Sequence, residues 1–228
     1  LVRFALPAGN TRDFVLLSAD PTAVRSVGSL QVRNFINYAQ PSLQSNYMII
    51  SNPLLYSGPT GNPVEKYRAF RSSAVGGGYD AKIYDADQLI DQYGFGIKGH
   101  PLSVKNFLSH ARAVFAQQPK FVFIIGKGIN YEQQRSFESR ILMPNLNLVP
   151  TFGWPGSDNI LASNGYSSSH ETPIGRLSAV NAQEVEAYLE KVKEHENMIS
   201  TGTQTLKDKG WMKNVVHAIG GSDPYLQA

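Results

Sequence analysis

Short, continuous apolar runs alternate with helix-like segments along most of this chain. YMIIS (47–51) and FVFIIG (121–126) lack the polar alternation of a half-exposed strand, which is typical of strands buried on both faces of a parallel sheet. TPIGRL (172–177) and VVHAIGG (215–221) are runs of the same kind. Because helical segments separate the runs, the pattern predicts an α/β fold with a mainly parallel sheet. We expect the first, second and last of these runs to be its central strands.

The segments between the runs carry helix start and stop signals. Asn181 can cap a helix over 181–199, and Glu184 stands where its carboxylate can reach back to the cap amide. Pro63 and Pro101 are typical first residues of two further helices. The remaining predicted elements are a strand over 79–85 and a short helix over 86–93 that Gly94 closes.

The first part of the chain has a different pattern. RFALP and RDFVLLSA are apolar or alternating stretches between turn residues, with no helix between them. We therefore expect the end of a preceding β-rich region over 1–30, a linker over 31–45 and an α/β domain over 46–228. Both ends of the sequence fall in or beside predicted strands, so we expect it to be a fragment of a larger protein.

Composition excludes several classes of function. The 21 basic and 18 acidic residues give a net charge of +3 without charge runs, so the Lys/Arg stripe of a nucleic-acid-binding protein is missing. No apolar run approaches the roughly 18 residues of a membrane span. The chain has no cysteine, which excludes disulfides, a cysteine-ligated zinc and a thiol nucleophile within these 228 residues. Generous Gly, Ser, Tyr and Phe are common in exported proteins.

Two glycine-rich stretches differ from phosphate-binding loops. IIGKGINYEQ (124–133) lacks the glycine spacing of the Walker pattern and the Ser or Thr after its Lys. VGGGYD (75–80) follows a helix, so it cannot place a pyrophosphate at a helix start. The five histidines form no zincin pair, and no G-x-S-x-G elbow supports a Ser-His-Asp triad. Nucleotide or phosphate binding stays open only because the topology permits it.

Asp158 and Arg176 are the polar residues that we single out as candidates. Asp158 lies in WPGSDN (154–159), where turn structure is the favoured interpretation. It is also a weak candidate ligand for a hard cation such as calcium, but one carboxylate is far short of a coordination cage. Arg176 ends an apolar strand, so we expect its guanidinium to emerge among loops and to bind the loop 153–170 or a neighbouring turn.

Several stretches together resemble one family. YMIISNPLL, QYGFGIKGHPLSVKNFL, KFVFIIGKG, NLVPTFGWPGSDN, PIGRLSAVNAQEVEAYLEKVKEHE and VVHAIGG follow the order and spacing of the gingipain-like cysteine peptidases of Bacteroidetes. The resemblance runs from about Asn46 to the end of the chain. It is closest to the sortase-like members of the type IX secretion system, the PorU group.

The resemblance implies a caspase-like three-layer fold, and it implies that this chain is the first subdomain of a cysteine endopeptidase. The family's catalytic His and Cys are expected beyond Ala228, so no residue here is assigned as catalytic or cofactor-binding and the chain alone is expected to be inactive. Arg176 and Asp158 are expected to form a structural wall of the cleft, and Gly175 to permit a tight exit from the strand. Lys127 stands where gingipains tend to have an acidic residue, which argues against calcium there.

The expected substrate is protein or peptide, with the sorting signals of secreted proteins as one candidate. Other type IX secretion components are candidate partners, and neither nucleic acid nor a membrane span in this segment is expected. The expected location is the cell surface, the outer membrane or the extracellular space. The alternative is a non-catalytic scaffold or binding component of an export assembly with the same fold.

Overall fold

The structure is a computed structural model, and it describes most of the chain from Val32 onward. The described residues are 32–130, 132–133, 145–153, 156–165, 167, 169–201 and 205–215, together with Gly9, Ser18, Asp20 and Thr22. The chain divides into two units, Leu1–Asn34 and Phe35–Ala228. In the first unit, the Asp20 carboxylate accepts hydrogen bonds from the amide and the hydroxyl of Thr22, each at 2.8 Å. The strands predicted within 1–30 lie outside the described residues.

The described part of the second unit contains a four-stranded parallel sheet. Its strands are β1 (Tyr47–Ser51), β2 (Ala81–Asp85), β3 (Phe121–Ile125) and β4 (Ile174–Leu177), in the order β2-β1-β3-β4. Every neighbouring pair is parallel. This confirms the predicted α/β fold with a parallel sheet, and β1 and β3 lie inside the described sheet. The predicted strand over 215–221 lies outside the described residues except for Val215.

Among the described residues, five α-helices connect and flank the strands. They are α1 (Pro63–Ser72), α2 (Ala86–Tyr93), α3 (Leu102–Val114), α4 (Asn159–Ala162) and α5 (Ala182–Thr201). Short 3-10 helices cover Pro41–Leu43, Pro53–Leu55 and Gly210–Lys213. Among the described residues, no helix is long and apolar enough to cross a membrane.

The alternation of side chains along the strands produces two cores, one on each face of the sheet. Met48 and Ile50 of β1 pack with α2, α3 and α4, whereas Tyr47 and Ile49 pack with α1 and α5. Met48, Ile49 and Ile50 are all fully buried, as expected for a strand that is covered on both faces. The result is the helix–sheet–helix layering of a caspase-like fold.

The predicted cap of the last helix is present with one difference. The Asn181 side chain accepts a hydrogen bond from the amide of Glu184 at 2.9 Å. The Glu184 carboxylate accepts from the amide of Val180 at 2.8 Å and from the side chain of Asn181 at 2.9 Å, rather than from the cap amide. Both residues therefore help to fix the point at which the chain leaves β4 and enters α5.

Part of the predicted linker belongs to the sheet unit. Tyr38 is 4% exposed and lies in the core beside Tyr84 and Phe107. The side chain of Gln92 in α2 binds both the amide and the carbonyl of Ile36, at 3.0 and 2.8 Å. The segment from Phe35 to β1 is thus held against α2 and α3 before the first strand begins.

Candidate functional site

The carboxyl ends of the four strands form one edge of the sheet, and the loops that follow them meet there. Backbone pairing continues beyond β3 and β4, because Gly126 donates to Leu177 and Lys127 donates to Ala179, each at 2.9 Å. In open parallel sheets, ligands bind in crevices outside the carboxyl ends of the strands. This edge is therefore the candidate location of a binding site.

Arg176 of β4 organises this edge. Its side chain is 9% exposed. The Nε and Nη2 atoms bind the two carboxylate oxygens of Asp158, each at 2.8 Å. Nη1 donates to the carbonyls of Gly126 and Val149 at 2.7 and 2.8 Å, and Nη2 also donates to the carbonyl of Pro150 at 3.2 Å. A guanidinium has five N–H groups, so every donor of Arg176 has an acceptor.

Asp158 receives the guanidinium at the start of α4. Its Oδ1 also accepts a hydrogen bond from the hydroxyl of Thr151 at 3.0 Å, and its carbonyl accepts from the amide of Leu161 at 3.0 Å. The preceding turn is closed by the amide of Ser157, which donates to the carbonyl of Phe152 at 2.7 Å. Asp158 is thus both a turn residue and the partner of Arg176.

The Arg176–Asp158 pair ties together three segments that are distant in sequence. β4 contributes the guanidinium, and the turn after β3 and the segment 149–158 contribute its acceptors. Bidentate Arg–carboxylate pairs are stronger and more directional than single contacts, and burial reduces their screening by solvent. Because all five donors are used, Arg176 acts by positioning these segments and has no free N–H for a ligand.

The glycines at this edge have unequal roles. A Cβ on Gly128 would lie 2.7 Å from the carbonyl oxygen of Val149 and 3.1 Å from Arg176 Nη1, so only glycine allows the close approach of this loop. Gly175, in contrast, lies inside β4 and is not among the residues with a left-handed φ. A Cβ there would meet only the ring of Phe123, at 3.7 Å. The expected tight exit at Gly175 is therefore wrong, since β4 continues through Leu177.

An open cleft of about 320 Å³ lies beside the Arg176–Asp158 pair. We call it the β3–β4 cleft. Its lining is almost entirely polar or glycine, and consists of Gly128, Asn130, Gln133, Thr151, Gly156, Asp158, Arg176 and Ser178. Such a surface suits the amide groups of an extended peptide better than an apolar ligand, which needs a mostly apolar pocket.

Two basic residues of α3 hold the far end of α4. Lys105 is 8% exposed, and its ammonium donates to the carbonyls of Ile160 and Ser163 at 2.7 and 3.1 Å. Arg112 donates to the carbonyl of Ala162 at 3.3 Å. Burial, followed by the charge of Arg112, lowers the pKa of Lys105. Because free carbonyls at a helix C-terminus attract cations, the two side chains anchor α4, the helix that Asp158 precedes.

The predicted calcium ligand is occupied by a protein cation. Both carboxylate oxygens of Asp158 bind Arg176, so a calcium ion there would compete with the guanidinium for the same atoms. Within the described part of the chain, no group of three His, Asp or Glu side chains could hold a metal ion. Of the histidines, His100 accepts from the amide of Leu102 at 3.1 Å, and His195 contacts the ring of Trp211. His217 lies outside the described residues.

A three-layer parallel α/β domain with a polar crevice at the carboxyl edge defines the class of protein. Residues 40–227 match the family model described as "Peptidase family C25". The match covers most of the chain, and the chain therefore belongs to this family of gingipain-type cysteine peptidases. No curated protein and no solved structure gives a significant match.

The sequence did not single out the residues that support the Arg176–Asp158 pair. Lys105 and Arg112 stand seven positions apart on α3, the spacing of two helical turns, so they emerge on the same face. That spacing is a signal that could have been used. The acceptors, in contrast, are backbone carbonyls of a distant segment, and no sequence pattern identifies them.

Proposed function

We propose that this chain is the first subdomain of a C25-type cysteine endopeptidase, and that it supplies one wall of the substrate cleft. The observation that carries the proposal is the β3–β4 cleft, a polar crevice fixed by Arg176 and Asp158 in a chain of this family. The lining of polar side chains and glycines is suited to a peptide backbone. Arg176 and Asp158 hold the wall and take no part in bond cleavage.

The chemical step requires a thiol that this chain does not have. In the whole protein, a cysteine outside these 228 residues would attack the peptide carbonyl, and a histidine would accept the thiol proton and pass it to the leaving amine. Backbone amides near the cysteine would stabilise the oxyanion. The chain by itself then binds substrate without cleaving it.

We infer further that the whole protein is exported to the cell surface or beyond, and that it processes sorting signals together with type IX secretion components. The order of the stretches from YMIISNPLL to VVHAIGG supports this placement, since it follows that of the sortase-like members. Calcium remains a candidate ligand of the whole protein at a site other than the oxygens that Arg176 occupies.

The second candidate function is a non-catalytic scaffold or binding component of an export assembly. Such a component would use the same fold and the polar β3–β4 cleft, and would not need the thiol that these 228 residues lack. A third possibility, nucleotide binding, has no comparable support. Among the described residues that line the β3–β4 cleft, the one cation is Arg176, and its donors are all satisfied.

One experiment separates the first two candidates. The complete protein, this chain alone and the complete protein treated with iodoacetamide are incubated with a library of internally quenched peptides. A peptidase gives cleavage only with the untreated complete protein, and replacement of the alkylated cysteine by alanine abolishes it. Absence of thiol-dependent cleavage, with retained peptide binding, would establish the scaffold instead.

A further inference from the structure

A second cleft, of about 430 Å³, opens at the carboxyl edge on the other side of β3. We call it the switch-point cleft, because it lies where the chain order of the strands reverses between β1 and β3. Its lining includes Asn52 and Leu54 after β1, Asp87 and Ile90 of α2, Lys98, and Asn147 from the segment after β3. This is the location at which doubly wound sheets usually hold ligands.

Two donors of the switch-point cleft are unused. The side-chain oxygen of Asn147 accepts from the amide of Ile129 at 3.3 Å, but its Nδ2 is buried and has no hydrogen-bond partner among the described residues. Lys98 is exposed, and within the described part of the chain its ammonium forms no hydrogen bond or ion pair. An unpaired buried N–H is costly, so a ligand that brings an acceptor gains that energy on binding. A cation beside it makes an anionic acceptor the best match.

The rest of the lining is an apolar floor and one carboxylate. Ile90 is 6% exposed, and Leu54 is 61% exposed at the margin. Asn52 donates to Asp87 Oδ1 at 3.3 Å and to the carbonyl of Leu148 at 3.2 Å, and Asp87 Oδ2 accepts no hydrogen bond from the described residues. The cleft therefore presents donors and a positive charge, an apolar surface, and an acceptor for an N–H group.

The loop between α2 and α3 has an unusual backbone beside this cleft. Gly96 and Gly99 have φ values of +69° and +74°, and Gly99 lines the cleft. Phe95 has a φ of 58° and is 77% exposed, and Ile97 is 53% exposed. A bulky residue in the left-handed region is strained, and such strain concentrates at ligand-binding loops. The exposed apolar side chains extend the apolar surface outside the cleft.

We propose that the switch-point cleft binds the C-terminal residue of a peptide that ends in an apolar amino acid. The terminal carboxylate accepts from Asn147 Nδ2 and lies beside Lys98. The side chain packs on Ile90 and Leu54, and the amide of the terminal residue donates to Asp87. Phe95 and Ile97 contact the residues that precede it. Peptides of this kind are what an endopeptidase releases, but the binding itself requires no catalysis.

The same features exclude a polyphosphate ligand. Among the described residues that line the cleft, Lys98 is the one cation, and the lining also includes the carboxylate of Asp87. The loop after β1 begins with Asn52-Pro53-Leu54, and the amides of Leu54, Leu55 and Tyr56 are already hydrogen-bonded within this turn, so they are not free to surround a phosphate. A singly charged carboxylate with an apolar group matches the lining in both charge and polarity.

Binding of fluorescein-labelled Gly-Ala-Leu to the full chain, followed by fluorescence polarisation, tests the proposal. We expect saturable binding of the peptide with a free C-terminal carboxylate. The C-terminal amide should bind with an affinity that is lower by roughly tenfold or more, because a charge-assisted contact is lost. Gly-Ala-Asp should also bind roughly tenfold more weakly, since its second carboxylate meets the apolar floor.

Lys98→Glu should reduce the affinity for the free acid by roughly tenfold or more, and should remove the preference over the amide. Lys120→Glu is the matched control, because Lys120 is an exposed lysine before β3, at the opposite edge of the sheet, and should leave binding unchanged. Asn147→Asp keeps an oxygen that can accept from the amide of Ile129 and replaces the unused N–H donor by a negatively charged oxygen. This variant should therefore no longer prefer the free acid to the amide. Circular dichroism melts check that each variant folds. If the Asn147→Asp variant does not fold, the Lys98→Glu variant alone tests the proposal.

Three results would overturn the proposal. The first is that the free acid does not bind up to about 5 mM, a concentration that detects even a millimolar Kd. The second is equal affinity for the free acid and the amide. The third is that the Lys98→Glu and Lys120→Glu variants lose equal amounts of affinity for the free acid. Failure of the complete protein to cleave peptides would not affect it, so this site and the peptidase proposal fail separately.

Discussion

Replacing Arg176 by alanine should destabilise the α/β unit far more than an ordinary surface change. The substitution removes five hydrogen bonds and leaves the carboxylate of Asp158 without its counter-charge in a side chain that is 19% exposed. It also strips the donor from the carbonyls of Gly126 and Val149, which are held by the same guanidinium. The turn after β3 and the segment 149–158 then lose the side chain that joins them to β4.

The magnitude follows from what remains after the substitution. Removing one partner of a fully buried ion pair typically costs about 3–5 kcal/mol. The β3–β4 cleft is open, so water can hydrate part of Asp158 and the freed carbonyls, and the cost falls toward the lower end. We expect a loss of about 3 kcal/mol in the free energy of unfolding. Arg176→Lys should recover little of it, because an ammonium lacks the planar fork that binds both oxygens of Asp158.

Urea unfolding followed by far-UV circular dichroism measures this loss. Arg68→Ala is the matched control, because Arg68 forms a bidentate pair with Glu65 on the exposed surface of α1, where it should contribute less than about 1 kcal/mol. The Arg176→Ala/Asp158→Ala double variant should be clearly more stable than the sum of the two single losses predicts, since the pair is coupled. An Arg176→Ala variant within about 0.5 kcal/mol of the parent would refute the role assigned to this residue.

Three further predictions concern the surroundings of the site. Lys105→Ala should lower the free energy of unfolding in urea by about 2–3 kcal/mol, because it leaves the carbonyls at the end of α4 without their donor. Lys120→Ala, at an exposed position, should lower it by less than about 0.5 kcal/mol, and equal losses in the two variants would contradict the anchoring role. Gly128→Ala should cost about 1–3 kcal/mol through its 2.7 Å backbone clash, and Gly175→Ala should be neutral or slightly stabilising; the reverse order would be decisive against this geometry. Asp85 caps α2, and burial raises the pKa of its carboxyl group above the ordinary value of 3.8. The folded state therefore holds the proton more tightly than the unfolded state, and the parent protein loses stability as the pH rises through the pKa of the folded state. Asp85→Asn keeps the cap without that penalty, so its stability relative to the parent should increase between pH 3.5 and pH 7 in paired urea melts; a constant difference would show that the carboxyl group is not perturbed.

Much of the fold follows from local sequence signals. The apolar run at 47–51 can be buried only if both faces of the strand are covered, and β1 has this environment. Pro63 and Asn181 mark helix starts because their chemistry suits unpaired N-terminal amides, and α1 and α5 begin there or one residue later. These elements were predictable because short-range geometry determines them.

The site was only partly predictable, because its contacts join distant segments. An arginine at the end of an apolar strand must place five donors, and this alone indicated loop contacts for Arg176. The carbonyls that it binds, however, carry no side-chain signature. The same limit explains the error at Gly175: a glycine before an arginine resembles a strand exit, whereas the structure uses it inside β4 beside the ring of Phe123.

The two clefts at the carboxyl edge differ in a way that follows from the Arg176 contacts. In the β3–β4 cleft the guanidinium is neutralised by Asp158 and saturated by carbonyls, so it offers shape and rigidity but little charge. In the switch-point cleft the cation, Lys98, and a buried N–H of Asn147 both remain unpaired among the described residues. A neutral polar cleft suits the interior of a peptide, whose amides carry no net charge, whereas unpaired donors beside an apolar floor suit a chain terminus. One sheet edge can therefore accept the middle of a peptide on one side of β3 and its carboxyl end on the other.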